Sequence, residues 1–406
     1  MTAFLDAALV SSAAEAVSVA RTLAQRFAID AADRDRERRL PAAEIDELSR
    51  SGIYGATVPA EFGGADISPS ALAEVLRTLA TADPNIAQIP QSHFVYVQLL
   101  KVAATTEQQR FFFAEVLRGR RFANAQSERG GKTLTDIATT FTPDGSGGFR
   151  LDGEKYYCTG TLFAHWIPVL ARLHDPRRLS ALPAGDYILY VPADAAGLTV
   201  VDDWNGLGQR LTGSGTVTLN DVAVQPEWVV RRSPAFDGPT SYGAFAQLLH
   251  TAIDVGIARA ALDDAAEFAR TKSRPWFEAK VDRAIEDPLL VQRFGELAVA
   301  VASAEATLET AGRAVDLAFA EPDEQHASAA SVAVAVAKIV AEKSAMVVSA
   351  ALFEVSGTRS AAADLDLDRH WRNARTHTLH DPVRWKYQHI GRVVLHNEPP
   401  PRHGLI

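Results

Sequence analysis

Phe149-Arg-Leu-Asp-Gly-Glu-Lys-Tyr-Tyr-Cys158 starts with alternating apolar and polar residues and carries an Asp-Gly pair, which reads as two extended runs joined by a turn. Further strand candidates follow at Tyr187-Ile-Leu-Tyr-Val191, Gly197-Leu-Thr-Val-Val201 and Thr216-Val-Thr-Leu-Asn220, about four in all. Gly and Pro punctuate them at Asp144-Gly-Ser-Gly-Gly148 and Pro192, so residues 121–235 read as a small, barrel-like β-domain. Outside that block the pattern is helical.

On the N-terminal side, residues 1–120 read as a helical domain. Apolar spacing runs from Ala13 to Phe27, and a second helix spans Ala42 to Ser51 behind Pro41. Ser68-Pro-Ser70 caps a helix with Leu72, Leu76 and Leu79 on one face, which Asp83-Pro84 ends. Ser92-His-Phe-Val-Tyr-Val97 places His93 and Tyr96 on a shared helical face. The helix from Glu107 to Leu117 presents Phe111, Phe112 and Phe113, at least some of them buried or at a subunit contact.

On the C-terminal side, residues 236–406, Leu249, Ile253, Ile257 and Leu262 stripe a helix from Phe245 to Lys272. Asp287-Pro288 opens a long helix to about Phe319, and Asp323 caps another that runs to Val355 before Gly357. Their length and their Ala and Val content suit a four-helix bundle whose outer face meets other subunits, ahead of a Pro-rich tail. Helix, strand, helix makes the class α+β.

A chain of 406 residues, 47% apolar and 22% charged, is an ordinary globular protein with a large core. Its 41 basic and 50 acidic residues give a net charge of -9, which argues against a nucleic-acid partner. The single Cys158 excludes an internal disulfide and a thiolate metal cluster, and points to a reducing cytoplasm. The N-terminal MTAFLDAALVSSAAEA lacks the basic start of a signal peptide, and no stretch has the apolar length to span a bilayer.

The chemistry concentrates in Asp366-Leu-Asp-Arg-His-Trp-Arg-Asn-Ala-Arg-Thr-His-Thr-Leu-His-Asp-Pro-Val383. His377 and His380 stand three residues apart, which on a helix is one face and about one turn, and Arg372 and Arg375 repeat the spacing. Imidazole exchanges protons near neutral pH, so such a pair beside Arg and Asp suits proton handling. The same residues also fit a helix end whose basic side chains complement the dipole before Asp381-Pro382 stops it.

The order of the three blocks, taken with Leu151-Asp-Gly-Glu-Lys-Tyr-Tyr-Cys-Thr-Gly160, Trp204-Asn-Gly-Leu-Gly-Gln-Arg-Leu-Thr-Gly-Ser-Gly-Thr216 and Arg270-Thr-Lys-Ser-Arg-Pro-Trp276, resembles the acyl-CoA dehydrogenase fold over essentially the whole chain. The resemblance implies that the first segment passes beside a flavin ring and that the third meets its phosphate through Arg270 and Arg274, with Trp204 and Trp276 at the cofactor. The departure lies at the base. Where those dehydrogenases carry Arg-Asp-Ala-Arg and then Tyr-Glu-Gly-Thr, this chain has Arg372-Asn-Ala-Arg375 and His380-Asp-Pro-Val383, with the shorter Asp381 at the Glu position. A second base location near Gly256-Ile-Ala258 carries no carboxylate, and Asp254 is expected on a different face.

The chain more closely resembles the flavin-dependent monooxygenase branch of that fold, through Thr376-His-Thr-Leu-His-Asp-Pro382, His93, Tyr96, Asn124, Ser127, Thr159-Gly-Thr161, Trp204 and Pro399-Pro-Pro-Arg-His-Gly-Leu-Ile406. Such enzymes are two-component: a separate NAD(P)H-dependent reductase supplies reduced flavin, O2 adds at C4a, and one oxygen atom passes to sulfur, nitrogen or carbon. The resemblance implies that His380 and His93 protonate and hold the peroxide, that His377 and Tyr96 shape the site, and that Asn124 and Thr161 sit at the flavin edge. Ser127 and Thr159 join the cofactor set, which takes reduced FMN, or FAD as the alternative, and no metal. A small sulfur-containing or aromatic substrate and a homotetramer built as a dimer of dimers are implied in the same way. The absence of a Gly-x-Gly-x-x-Gly fingerprint fits a separate reductase.

Phe94, Phe163, His165, Trp166 and Phe245 suggest an aromatic-lined pocket, although core packing explains such residues equally well. Two other readings stay open on the sequence: an acyl-CoA dehydrogenase with FAD and Asp381 as base, and a non-catalytic family member.

Overall fold

Local caps set where several of the helices begin. In the computed structural model, which describes residues 7–133 and 135–405, α1 (Ala13–Phe27), α2 (Ala31–Glu37), α3 (Ala42–Arg50), α4 (Pro69–Ala82), α5 (Pro84–Gln88), α6 (Gln91–Ala103) and α7 (Thr106–Leu117) precede the sheet. The first six residues of the N-terminal segment read above, together with Leu134 and Ile406, lie outside the described residues. Ser12 and Ser68 each accept a first-turn N–H, and Thr105 forms a reciprocal capping box with Gln108. Asp83 ends α4 and caps α5, accepting from the Asn85 N–H. Phe112 and Phe113 are fully buried, whereas Phe111 is exposed.

The sheet holds seven strands in the order β5-β6-β2-β1-β3-β4-β7. These are β1 (Thr140–Pro143), β2 (Phe149–Lys155), β3 (Trp166–Leu173), β4 (Asp186–Pro192), β5 (Leu198–Val201), β6 (Thr216–Val224) and β7 (Val229–Arg231). Every pairing is antiparallel except β1 with β3.

Asp152-Gly153 is not the turn its composition suggests. β2 runs straight through it, and the register against β6 shifts between Leu151 and Gly153, which makes a β-bulge. Gly153 adopts φ 154°, and a Cβ there would stand 2.4 Å from the Thr139 hydroxyl. β1, β3 and β7 have no counterpart among the strand candidates. In β3, Trp166 through Ala171 are buried without interruption, so the strand lacks the alternation of a half-exposed one.

After the sheet come α8 (Tyr242–Thr271), α9 (Pro288–Ala320), α10 (Glu324–Ser356), α11 (Arg369–His377) and α12 (Val383–His396). Asp287 and Asp323 cap α9 and α10, and Gly357 at φ 77° ends α10. α8 packs against α9 and α10 on one side and against α4 and α6 on the other. One apolar core therefore runs from Leu23 and Leu72 through Ile253 to Leu352. Phe94, Phe163 and Phe245 belong to this core and Trp166 to a separate cluster around Phe112.

Candidate active site

α8 carries an imidazole and a carboxylate one turn apart, His250 and Asp254, into the seam with α10 and α11. Asp254 Oδ2 accepts from Lys338 Nζ of α10 at 2.7 Å, and Oδ1 lies 2.6 Å from His377 Nδ1. His377 Nε2 and His250 Nδ1 are 3.1 Å apart. α11 ends at His377, so His380 stands in the turn that follows, and the pair does not share a helical face. His380 instead covers His250 with ring centroids 4.0 Å apart and places Nδ1 3.0 Å from Asp381 Oδ2. The two histidines meet on either side of a third that the sequence reading passed over. Asp254, expected on another face, is the anchor of the group.

Burial decides the protonation states here. It pushes His377 below the ordinary imidazole range despite the opposing carboxylate of Asp254. It pushes His250 well below that range, helped by the positive fields of His380, His377, Lys338 and Lys386. Asp254 would be driven up by burial, but Lys338 and His377 outweigh that and hold it below its usual value. Lys386 is brought down by burial to about 8. Its Nζ donates to the Leu405 carbonyl at 2.6 Å.

A second polar group joins α6 to the sheet. The Tyr96 hydroxyl donates to Asn124 Oδ1 at 2.9 Å, and the Asn124 N–H donates to the Thr159 carbonyl at 3.1 Å. Thr159 Oγ1 lies 2.8 Å from Ser214 Oγ, which lies 2.7 Å from Thr212 Oγ1. Thr161 Oγ1 donates to the Cys158 carbonyl at 2.9 Å, and the Ser127 carbonyl accepts from the Tyr156 N–H at 2.8 Å. Asn124 Nδ2 has no hydrogen-bond acceptor among the described residues.

The loop between β5 and β6 links the two groups. Its Gly208 N–H donates to Thr376 Oγ1 at 2.8 Å and its Gln209 N–H to Asn373 Oδ1 at 2.7 Å, while Trp204 Nε1 donates to the Gln209 carbonyl at 2.7 Å. A Cβ on Gly208 would lie 2.0 Å from the Arg372 carbonyl oxygen, so only glycine lets the loop lie against α11. Gln91, at the start of α6, donates to the Ala246 carbonyl one turn before His250 at 3.2 Å.

Four of the expected site residues stand elsewhere. His93 is fully buried, with Nε2 3.0 Å from the Tyr54 carbonyl and Nδ1 accepting from the Phe122 N–H at 3.0 Å. Both nitrogens are spent on backbone, leaving none for a ligand; Ser92, four residues before Tyr96, shares its helical face more closely. Arg270, Arg274 and Trp276 are exposed at the far end of α8, Arg270 about 30 Å along the helix axis from His250. Within one chain they cannot meet the histidines.

Burial lowers the pKa of His93 to about 3. Its folded value lies below the unfolded one, so its contribution to stability is complete above pH ~6.5 and declines by about 1.4 kcal/mol per unit as pH falls toward the folded value. Urea unfolding at pH 7, 6 and 5 should show this slope. His93→Gln, which keeps a donor and an acceptor, should remove that share of it; an unchanged slope assigns the proton uptake to other groups.

Residues 13–120 match the family model described as acyl-CoA dehydrogenase, N-terminal domain, and residues 248–385 the one described as acyl-CoA dehydrogenase, C-terminal domain. The chain is 30% identical over 396 residues to the dibenzothiophene monooxygenase of Rhodococcus qingshengii, covering 95% of this chain and 94% of that one. The protein belongs to the acyl-CoA dehydrogenase family, in its flavin-dependent monooxygenase branch. A probable FMNH2-dependent monooxygenase, SfnC, of Pseudomonas putida is likewise 30% identical, with 95% and 96% of the two chains covered. The FMN-bound structure of TdsC from Paenibacillus sp. A11-2 superposes with a TM-score of 0.89 at 31% identity, over 96% of this chain and 100% of that one. In this branch member, Asp381 is buried and held below the ordinary carboxylate range by His380, against the effect of burial. A carboxylate so held is a weak base, which disfavours the dehydrogenase reading.

Proposed function

We propose that this protein is a two-component monooxygenase that takes reduced FMN and O2 and places one oxygen atom on a small sulfur-containing molecule. The observation that carries the reading is the cluster His250, His377 and His380, in which the two carboxylates that contact the imidazoles, Asp254 and Asp381, each have an imidazole or ammonium partner. Such a site exchanges protons without leaving either of these two carboxylates as a free base.

The residues present suit an isoalloxazine. Asn124 offers an uncommitted amide donor beside the hydroxyls of Thr159 and Ser214, a donor set matched to ring carbonyls and nitrogens. Reduced FMN, when bound, supplies the electrons that activate O2. Tyr96 fixes the Asn124 amide by occupying its oxygen. His380 has its Nδ1 engaged by Asp381 and its side chain 38% exposed, so its Nε2 edge is the one available to exchange a proton with a ligand oxygen. Sulfur is favoured over nitrogen or carbon by the dibenzothiophene monooxygenases among the relatives.

Reduced FMN then comes from a separate NAD(P)H-dependent reductase. The distance separating Arg270, Arg274 and Trp276 from the histidines supports a homotetramer in which another copy supplies them to the cofactor phosphate. Exposed apolar side chains on α9 and α12, such as Leu289, Val299 and Val394, are consistent with such packing. No helix among the described residues is long and apolar enough to cross a membrane. The lone, buried Cys158 accords with a cytoplasmic setting.

The test supplies the protein with FMN, a flavin reductase, NADH and dibenzothiophene under 18O2. Sulfoxide carrying one 18O atom is the expected product. Acyl-CoA-dependent reduction of an artificial electron acceptor, with no oxygenated product, would restore the dehydrogenase reading.

A further inference from the structure

We propose that Lys338 and Asp254 are positioning residues that fix the tautomers of His377 and His250, making His250 Nε2 the open end of a buried proton relay. Asp254 has no solvent exposure, and each of its oxygens is engaged, Oδ2 by Lys338 Nζ at 2.7 Å and Oδ1 by His377 Nδ1 at 2.6 Å. A carboxylate so placed only accepts, so the His377 proton sits on Nδ1. His377 Nε2 is then bare and takes the proton of His250 Nδ1 across 3.1 Å. That leaves His250 Nε2 bare in turn, with no hydrogen-bond partner among the described residues.

The relay moves protons only. A proton arriving at His250 Nε2 from water or from an acidic O–H releases the Nδ1 proton to His377 Nε2, and an imidazolium forms beside the Asp254 carboxylate. The reverse sequence returns the proton to a ligand oxygen. No electrons move and no heavy-atom bond changes.

Burial, reinforced by Lys338, sets the resting state. Asp254 from α8, Lys338 from α10 and His380 act directly on His377, which touches His250 of α8; Lys386 of α12 acts on His250, and Arg375 on Glu342 of α10. With Asp254 as its only close charged neighbour, His377 would hold a proton more readily and the relay would stand closer to full. Burial and the Lys338 ammonium together offset that carboxylate and leave the relay empty and able to accept. Glu342 Oε2 is buried without a hydrogen-bond partner among the described residues, and burial raises its carboxyl above the ordinary range.

The inference deepens the monooxygenase reading, yet its test needs no turnover. Full-length, flavin-free protein labelled with 15N-histidine reports tautomer and titration by NMR, with assignments from single His→Gln variants. In the wild type, His377 and His250 should both carry the proton on Nδ1. Lys338→Met should raise the His377 midpoint by about one to two pH units, because a positive neighbour is lost. Lys338→Arg should restore it. An Nε2–H tautomer on either wild-type ring overturns the proposal, as does an unmoved His377 midpoint in folded Lys338→Met. Should Lys338→Met fail to fold, the wild-type tautomers still decide. Failure of the 18O assay alone removes the oxygenation reading and leaves the relay in place.

Discussion

Replacing His380 by Phe should lower oxygenated product by about 10²- to 10⁴-fold, the usual contribution of one proton-transfer group. Phe keeps a ring over His250, where the centroids stand 4.0 Å apart, but removes the nitrogen that faces Asp381 and the one at the exposed edge. NADH oxidation through the reductase should continue, with hydrogen peroxide replacing product, because reduced flavin still meets O2 while the proton needed to complete transfer is missing. Product and peroxide measured in the same reaction separate this from loss of fold. His93→Gln is the matched control, since both of its nitrogens face backbone. Should His380→Phe turn over normally, the proton chemistry lies with other groups and the proposed site is misplaced.

The second large effect is on stability. Arg34 is wholly buried; its Nε and Nη2 donate to Asp83 Oδ2 at 3.1 and 3.0 Å, and Nη2 also reaches the Phe27 carbonyl at 2.6 Å. Arg34→Met should cost about 3–5 kcal/mol, because it strands the Asp83 carboxylate in the interior. The damage should also reach the site. Asp83 Oδ1 holds the Asn85 amide, whose Oδ1 accepts from the Leu211 N–H at 3.1 Å, and that loop is the one lying against α11. Urea unfolding measures the loss. Arg34→Met combined with Asp83→Asn should recover part of it, since the Asp83 charge is removed with its partner while Asp30 and Glu44 keep Arg39, and a single variant as stable as wild type would show the network to be dispensable.

These contacts show why some features could be read from the sequence and others could not. The long helices were legible because their ends are written locally, in Ser68, Asp287, Asp323 and Gly357. β3 was not, because a strand covered on both faces has no period to detect. Asp152-Gly153 carries the same letters whether it turns or bulges; the choice was made by β6 and Thr139. His377 and His380 stood out as neighbours in the chain, whereas His250 lies 127 residues from His377 and sits in an otherwise apolar stripe. The signal available was Asp254 one turn further on, an imidazole and a carboxylate at i and i+4 in a buried helix. His93 drew attention by sharing a face with Tyr96, but its true partners are main-chain atoms, which no side-chain pattern encodes.

α8 belongs at once to the N-terminal helices and to the C-terminal bundle. The apolar interior is therefore continuous between the two helical blocks, with α8 as their shared spine. The amides around His250 and Asp254 are then expected to exchange with solvent only when the two helical blocks open together, adding the cooperativity of the wider core to the local bonds that hold these residues.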